Sequence, residues 1–317
     1  MNQMIRNIQQ KAGMIPDNTM HAGRSGRDEL VPSRYALRVG EIDVMVISDG
    51  VVTPPAESMA TNADPAAREA WLDDNFLSHD TFDWALNEVV VRSGGRTMLI
   101  DSGLGLEYPD FPRAGQFGLR LDSAGIDLGS VTDVVLTHMH FDHIGGLLVD
   151  GVKARLRPDL RIHVSAAEAK FWEAPDFSHV SMPPGFPDAL RATAKRFAKE
   201  YRSQLRTFED EVEIAPGVVV TRTGGHTPGH SVVDVTSGGE RLTFAGDLVF
   251  AAGFEHPDWY NGFEHDPEEA ARVRVRLLRE LADTGGLLVA THLPFPSIGH
   301  VAVAGDAFRW VPAIWDY

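Results

Sequence analysis

The chain has no cysteine among its 317 residues. That excludes a disulfide, a thiolate ligand and a cysteine nucleophile, so any bound metal must be held by His, Asp, Glu or backbone groups. Positive charge is scarce as well: 29 Lys and Arg stand against 45 Asp and Glu, for a net charge of −16. Such a balance repels phosphate backbones and anionic lipid alike and argues against nucleic acid as a partner. No apolar run approaches the roughly 20 residues of a membrane-spanning helix. Residues 1–34 lack the apolar centre of a secretory signal. The expectation is a cytoplasmic protein with an N-terminal arm over 1–34, loosely ordered or wrapped around a second subunit of a homodimer, followed by one domain over 35–317.

What the chain does have is histidine in a cluster. His138-Met139-His140-Phe141-Asp142-His143 places three imidazoles and a carboxylate within six positions, directly after the apolar run Val131 to Thr137. On an extended segment leaving a strand, residues two apart share a face, so His138 and His140 can hold one ion together while Asp142 and His143 turn elsewhere. Burying these groups without a cation would cost about 1–3 kcal/mol for each one left unpaired. Imidazole and carboxylate ligands without thiolates suit divalent metal, zinc first, with manganese, iron or cobalt as substitutes.

Around the cluster the pattern alternates strand pairs with helices. Strands are expected at Tyr35–Val39 and Ile42–Ile47, at Glu88–Arg92 and Arg96–Ile100, then at Arg161–Val164. Others follow near Gly217–Thr223, Ser231–Thr236, Arg241–Ala245 and Leu287–Thr291. Helices are expected around Gln116–Ala124, at Ala166–Trp172, in a longer stretch ending near Tyr201, and at Pro267–Ala282. No linker or low-complexity tract divides the chain, and both halves repeat one architectural style.

Three further candidate ligands stand after apolar strands in that second half. His226 lies in Gly224-Gly225-His226-Thr227-Pro228-Gly229-His230, where small residues let the backbone turn beside an ion. Asp247 closes Phe244-Ala245-Gly246 with a carboxylate that has two oxygens to share. His292 follows Leu287 to Thr291.

His-x-His-x-Asp-His, then Gly-His-Thr-Pro-Gly-His, Gly-Asp and a late His after a strand together resemble the metallo-β-lactamase-fold hydrolase superfamily, from about Tyr35 to the C-terminus. Thr291 to His300, Gly246-Asp247-Leu248 and the Asp43 to Gly50 strand ending in Ser-Asp-Gly are similar to the branch containing methyl parathion hydrolase and related lactonases. The resemblance implies an α/β fold, a four-layer αββα sandwich with the site along one edge. It implies two divalent metal ions: one on His138, His140 and His226, the other on Asp142, His143 and His292, with Asp247 bridging. It implies supporting roles for Asp101, His230 and His300. His21, His79, His163, His179, His256 and His265 stay unassigned and are expected to be surface or structural.

Departures narrow the branch. Lactamases with a Cys ligand are excluded, and Asp247 argues against the subclass that lacks a bridging carboxylate. Flavodiiron proteins place Glu where His140 stands, nuclease branches carry basic surfaces, and glyoxalase II has a glutathione-binding set not matched here. Quorum-signal lactonases use a Tyr beside the site, and no Tyr here matches it. The reaction expected is hydrolysis of a neutral, hydrophobic lactone or ester by a metal-bridging hydroxide, with Asp142 and Asp247 as catalytic carboxylates. An organophosphate triesterase is the alternative, and an iron-dependent, sulfur dioxygenase-like oxidoreductase on the same scaffold a more distant one. For the small-molecule substrate, Trp172, Phe76, Phe82, Trp84 and Phe254 are the candidate pocket walls, with Phe171 and Phe186 nearby. Core packing would account for such aromatics equally well.

Overall fold

The computed structural model describes residues 31–106, 108, 110–178, 180 and 182–315, so most of the arm expected over 1–34 lies outside the described residues. Two seven-stranded sheets form in strict chain order. The first runs β1 (Arg34–Val39), β2 (Ile42–Val52), β3 (Trp84–Ser93), β4 (Arg96–Ile100), β5 (Asp133–Val135), β6 (Arg161–Ser165) and β7 (Leu205–Phe208). The second runs β8 (Glu211–Ala215), β9 (Val218–Arg222), β10 (Ser231–Ser237), β11 (Glu240–Phe244), β12 (Leu287–Val289), β13 (Ile298–Ala304) and β14 (Ala307–Pro312). The first sheet is antiparallel from β1 to β4 and parallel from β4 to β7.

Among the described residues, seven α-helices accompany them: α1 (Pro65–Asp74), α2 (Phe117–Ser123), α3 (Phe141–Ile144), α4 (Val152–Arg155), α5 (Ala166–Glu173), α6 (Phe186–Tyr201) and α7 (Pro267–Thr284). Their ends follow side-chain chemistry. Asp64 caps α1 by accepting from the amides of Ala66 and Ala67, Ser165 caps α5 through the Glu168 amide, and Asp266 caps α7 through the Glu269 amide. Each satisfies an amide that the first turn leaves without a partner.

Strand alternation sorts the apolar residues into layers. Val44, Val46, Val89, Val91, Met98 and Ile100 face Val218, Val220, Val233, Val235, Leu242 and Phe244 of the other sheet, forming the central core. Their neighbours Ile47, Val90 and Leu99 turn outward against α2, α3 and α6, where Phe117, Ile144 and Phe197 pack. On the outer face of the second sheet, α7 contributes Val273, Leu277, Leu278 and Leu281 against Leu288 and Ala290. The result is the αββα sandwich, helices outside and two sheets between. β7, β8, β13 and β14 go beyond the strands expected from sequence. Three of these are sheet edges that bury little: β7 and β8 each show two exposed residues.

A charged knot ties the first sheet together at β5. Asp133, fully buried, accepts from Arg96 and His163 and pairs with Arg161. Burial alone would raise its pKa, but hydrogen bonds from His163, Arg96 and Thr132 hold it well below the usual carboxylate range. A depressed carboxylate pKa contributes stability that is full above the unfolded value, about 4, and lost as pH falls below it. Asp133→Asn should therefore flatten the acid limb of the stability profile, and Asp133→Ala should cost about 2–4 kcal/mol in urea unfolding at pH 7. A variant with the wild-type acid limb would contradict this account.

Candidate metal centre

Both sheets deliver their candidate ligands to one edge. His138 and His140 follow β5 and Asp142 and His143 lie in α3, while the second sheet supplies His226 from the β9–β10 loop, Asp247 after β11 and His292 after β12. Two groups result: His138, His140, His226 and Asp247, and Asp142, His143, Asp247 and His292, each with ligand atoms within 4.8 Å of one another. Asp247 belongs to both. Its carboxylate lies 3.7 Å from His138 Nε2, 3.3 Å from His143 Nε2, 3.3 Å from His226 Nε2 and 2.9 Å from His292 Nε2.

The imidazoles are held from behind. Asp101 follows β4 and accepts from the Thr137 amide, the Thr137 hydroxyl and His143 Nδ1. Because Thr137 gives its hydroxyl proton to Asp101, its oxygen can accept from His138 Nδ1 at 3.1 Å. His292 Nδ1 donates to the Ala85 carbonyl at 2.8 Å. All three rings thus turn Nε2 toward the centre. His140 is reversed: its Nδ1 lies 3.2 Å from His226 Nε2, and its Nε2 faces His265. His230 Nε2 accepts from the Asp247 amide at 3.2 Å, while its Nδ1 faces the Thr223 hydroxyl. Gly246 is required beside it, with φ +53° and a virtual Cβ 2.6 Å from His230 Nε2.

The arrangement fits divalent cations. His138 Nε2, His143 Nε2 and Asp247 Oδ1 are buried without any hydrogen-bond partner, which is costly unless a cation supplies one. Burial pushes His138 and His226 well below the usual imidazole range, keeping them in the neutral form that ligates. On the other side burial would lower His143 and His292, but Asp247 with Asp142, and for His143 also Asp101, push both up. Asp247 is driven the opposite way: burial would raise it, and the surrounding imidazoles, His292 first, hold it well below the carboxylate range.

Some residues near this centre escaped the sequence reading. Glu168 on α5 is fully buried and accepts from the Met139 amide, Trp172 Nε1, the Thr227 hydroxyl and the Gly229 amide, so one carboxylate joins the His138–His140 segment to the His226 loop. Glu88 on β3 is buried with both carboxyl oxygens unpartnered, and burial pushes its pKa well up. His265, left unassigned with a surface or structural role expected, is packed at the site, and burial pushes its pKa down to about 4. No periodicity marks these residues, since long-range packing alone brings them in.

Other expectations need correction. His300 sits on β13 between the inward Gly299 and Val301, so strand alternation turns it to solvent, where its ring contacts the Gly285 carbonyl. It supports none of the candidate ligands. Phe76 is 97% exposed and lines nothing, and Phe254 packs against Trp310 in the core beneath α7. Phe82 is buried against Trp84. Trp84 and Trp172 do reach the centre, with ring centroids 4.8 Å from His292 and 6.0 Å from His140. Phe141, Phe186 and Phe263 form a contiguous aromatic wall beside them.

The chain belongs to the metallo-β-lactamase superfamily, matching that family (Metallo-beta-lactamase superfamily) over residues 85–292. A Mycobacterium bovis and a Mycobacterium tuberculosis protein, each named a probable metallo-hydrolase, are 26% identical over 191 residues, 52% of this chain and 57% of theirs. The chain thus matches little more than half the length of these curated relatives. Among solved structures it is similar to AidC, a dizinc quorum-quenching lactonase in complex with a product homoserine, with TM-score 0.82 and 27% identity over 90% of this chain and 99% of that one. It is also similar to the hydrolase AbOPH of the beta lactamase superfamily, with TM-score 0.78 and 25% identity over 90% of this chain and 99% of that one. His and Asp groups that could hold metal ions therefore lie at the edge of a sandwich of this superfamily.

The carboxylates around His143 and His292 favour the protonated imidazoles in the metal-free chain, so a cation binding there competes with protons. Titration of zinc into metal-free protein at pH 7, in two buffers of different ionisation heat, should show release of about one proton or more per chain. Affinity should fall as pH drops. Binding heats that do not depend on the buffer would count against this charge assignment.

Proposed function

We propose that the protein hydrolyses a neutral, hydrophobic lactone or ester at a pair of divalent ions, zinc fitting the donor set first. The observation that carries this reading is the Asp247 carboxylate within reach of imidazoles from both ligand groups. AidC, similar over nearly its whole length, is a dizinc lactonase, which supports the same class of substrate.

Divalent cations, when bound, acidify water and polarise a carbonyl or phosphoryl oxygen. The chain's own residues do the rest. Asp142 is the ligand-group carboxylate most open to solvent, its side chain 13% exposed, and its oxygen lies 3.5 Å from His143 Nε2. It is placed to take a proton from an attacking water and pass it outward. Asp247 stays ionised among its imidazoles and aligns the two halves. The aromatic wall of Trp84, Phe141, Trp172, Phe186 and Phe263 gives an acyl chain apolar surface and keeps water from it. The −16 charge disfavours polyanionic substrates.

Metal-replete protein should turn over N-hexanoyl homoserine lactone or an aryl ester at least about tenfold faster, in kcat/KM, than a phosphotriester. The reverse ranking would favour the triesterase, and no turnover of any of the three would refute the proposal. Metal analysis should give two ions per chain; one iron without hydrolysis would favour the oxidoreductase. His140→Ala should lower activity by about 100-fold or more with loss of metal while the chain stays folded.

A further inference from the structure

His265 is fixed beside His140 more firmly than a surface residue requires. Its backbone amide donates to the His226 carbonyl at 2.8 Å, and the Asp266 amide donates to the Gly225 carbonyl at 3.0 Å. From the other side, Glu264 is buried in an ion pair with Arg274 of α7, whose guanidinium also donates to the carbonyls of Leu248, Pro257 and Trp259. The segment is therefore clamped between the His226 loop and α7. Phe171, Trp172 and Phe177 enclose the ring, with centroids 4.9, 6.5 and 5.2 Å away.

The geometry determines which atom carries which proton. His140 turns Nδ1 toward His226, so a ligating Nδ1 must be bare and the ring proton must sit on Nε2. That proton faces His265 Nε2 at 3.3 Å. His265 must then accept at Nε2 and carry its own proton on Nδ1, the atom found buried without a partner. His138, His143 and His292 are backed by hydroxyl, carboxylate and carbonyl oxygens, whereas His140 alone is backed by another imidazole.

Resting on the two-ion reading above, we propose that His265 is a positioning residue: it accepts the Nε2–H of His140 and so selects the tautomer that turns Nδ1 toward the cation. Losing such a backing group weakens metal binding about 10–100-fold. His265→Phe, which keeps the volume but has no acceptor, should weaken one of the two zinc ions by about that factor in chelator competition and leave the other unchanged. His265→Gln, whose amide oxygen can accept, should stay within about threefold of wild type. Long-range ¹H–¹⁵N spectra of imidazole-labelled wild-type protein, metal-free and zinc-loaded, should place the protons on Nε2 of His140 and Nδ1 of His265. This readout does not depend on either variant folding. A zinc-loaded spectrum with His140 protonated at Nδ1, or a folded His265→Phe that holds both ions as tightly as wild type, would overturn the inference. Failure of the wild type to bind two ions would instead overturn the two-ion reading, and the metal-free spectrum would still test the His140–His265 bond.

Discussion

The Asp247 carboxylate is the point on which the site depends. It is buried at the meeting of two ligand groups, with four imidazole nitrogens from three segments of the chain within 4 Å. An anion so placed would be expensive to bury alone, and its neighbours answer its charge. Three of these rings are in turn held by a group behind them, His138 by Thr137, His143 by Asp101 and His292 by the Ala85 carbonyl, and the neighbouring His140 is backed by His265. Removing the carboxylate would leave these supports with no common object.

The supports reach well into the fold. Glu168 ties the segment after β5 to the His226 loop, and Arg274 ties α7 to the loop that follows Asp247. Helices on both outer faces of the sandwich thus brace loops at its edge. Rigid elements hold the ligand rings, which limits how far any ring can drift from a productive position.

Much of this was legible in the chain. His138 to His143 announce themselves because four candidate ligands within six residues have no economical structural use. His226, Asp247 and His292 are recognisable from their place after apolar strands, and the sandwich is what the resemblance carried by these motifs implies. Edge strands β7, β8 and β14 bury too little to leave a clear pattern. His300 matched a motif by position, yet strand alternation turned it outward. Glu168 and His265 were invisible for the opposite reason: each acts through contacts between segments 29 to 125 residues apart, which no local pattern encodes.

Among the described residues, the chain crosses from the first sheet to the second at Glu209 and Asp210, between β7 and β8. Four of the candidate ligands are synthesised before that crossing and three after it. A ribosome-bound chain holding only the first sheet would carry His138, His140, Asp142 and His143 but none of the groups that close either cluster. Cation capture at full strength would then have to wait until both sheets have docked, making metal retention a late mark of successful assembly.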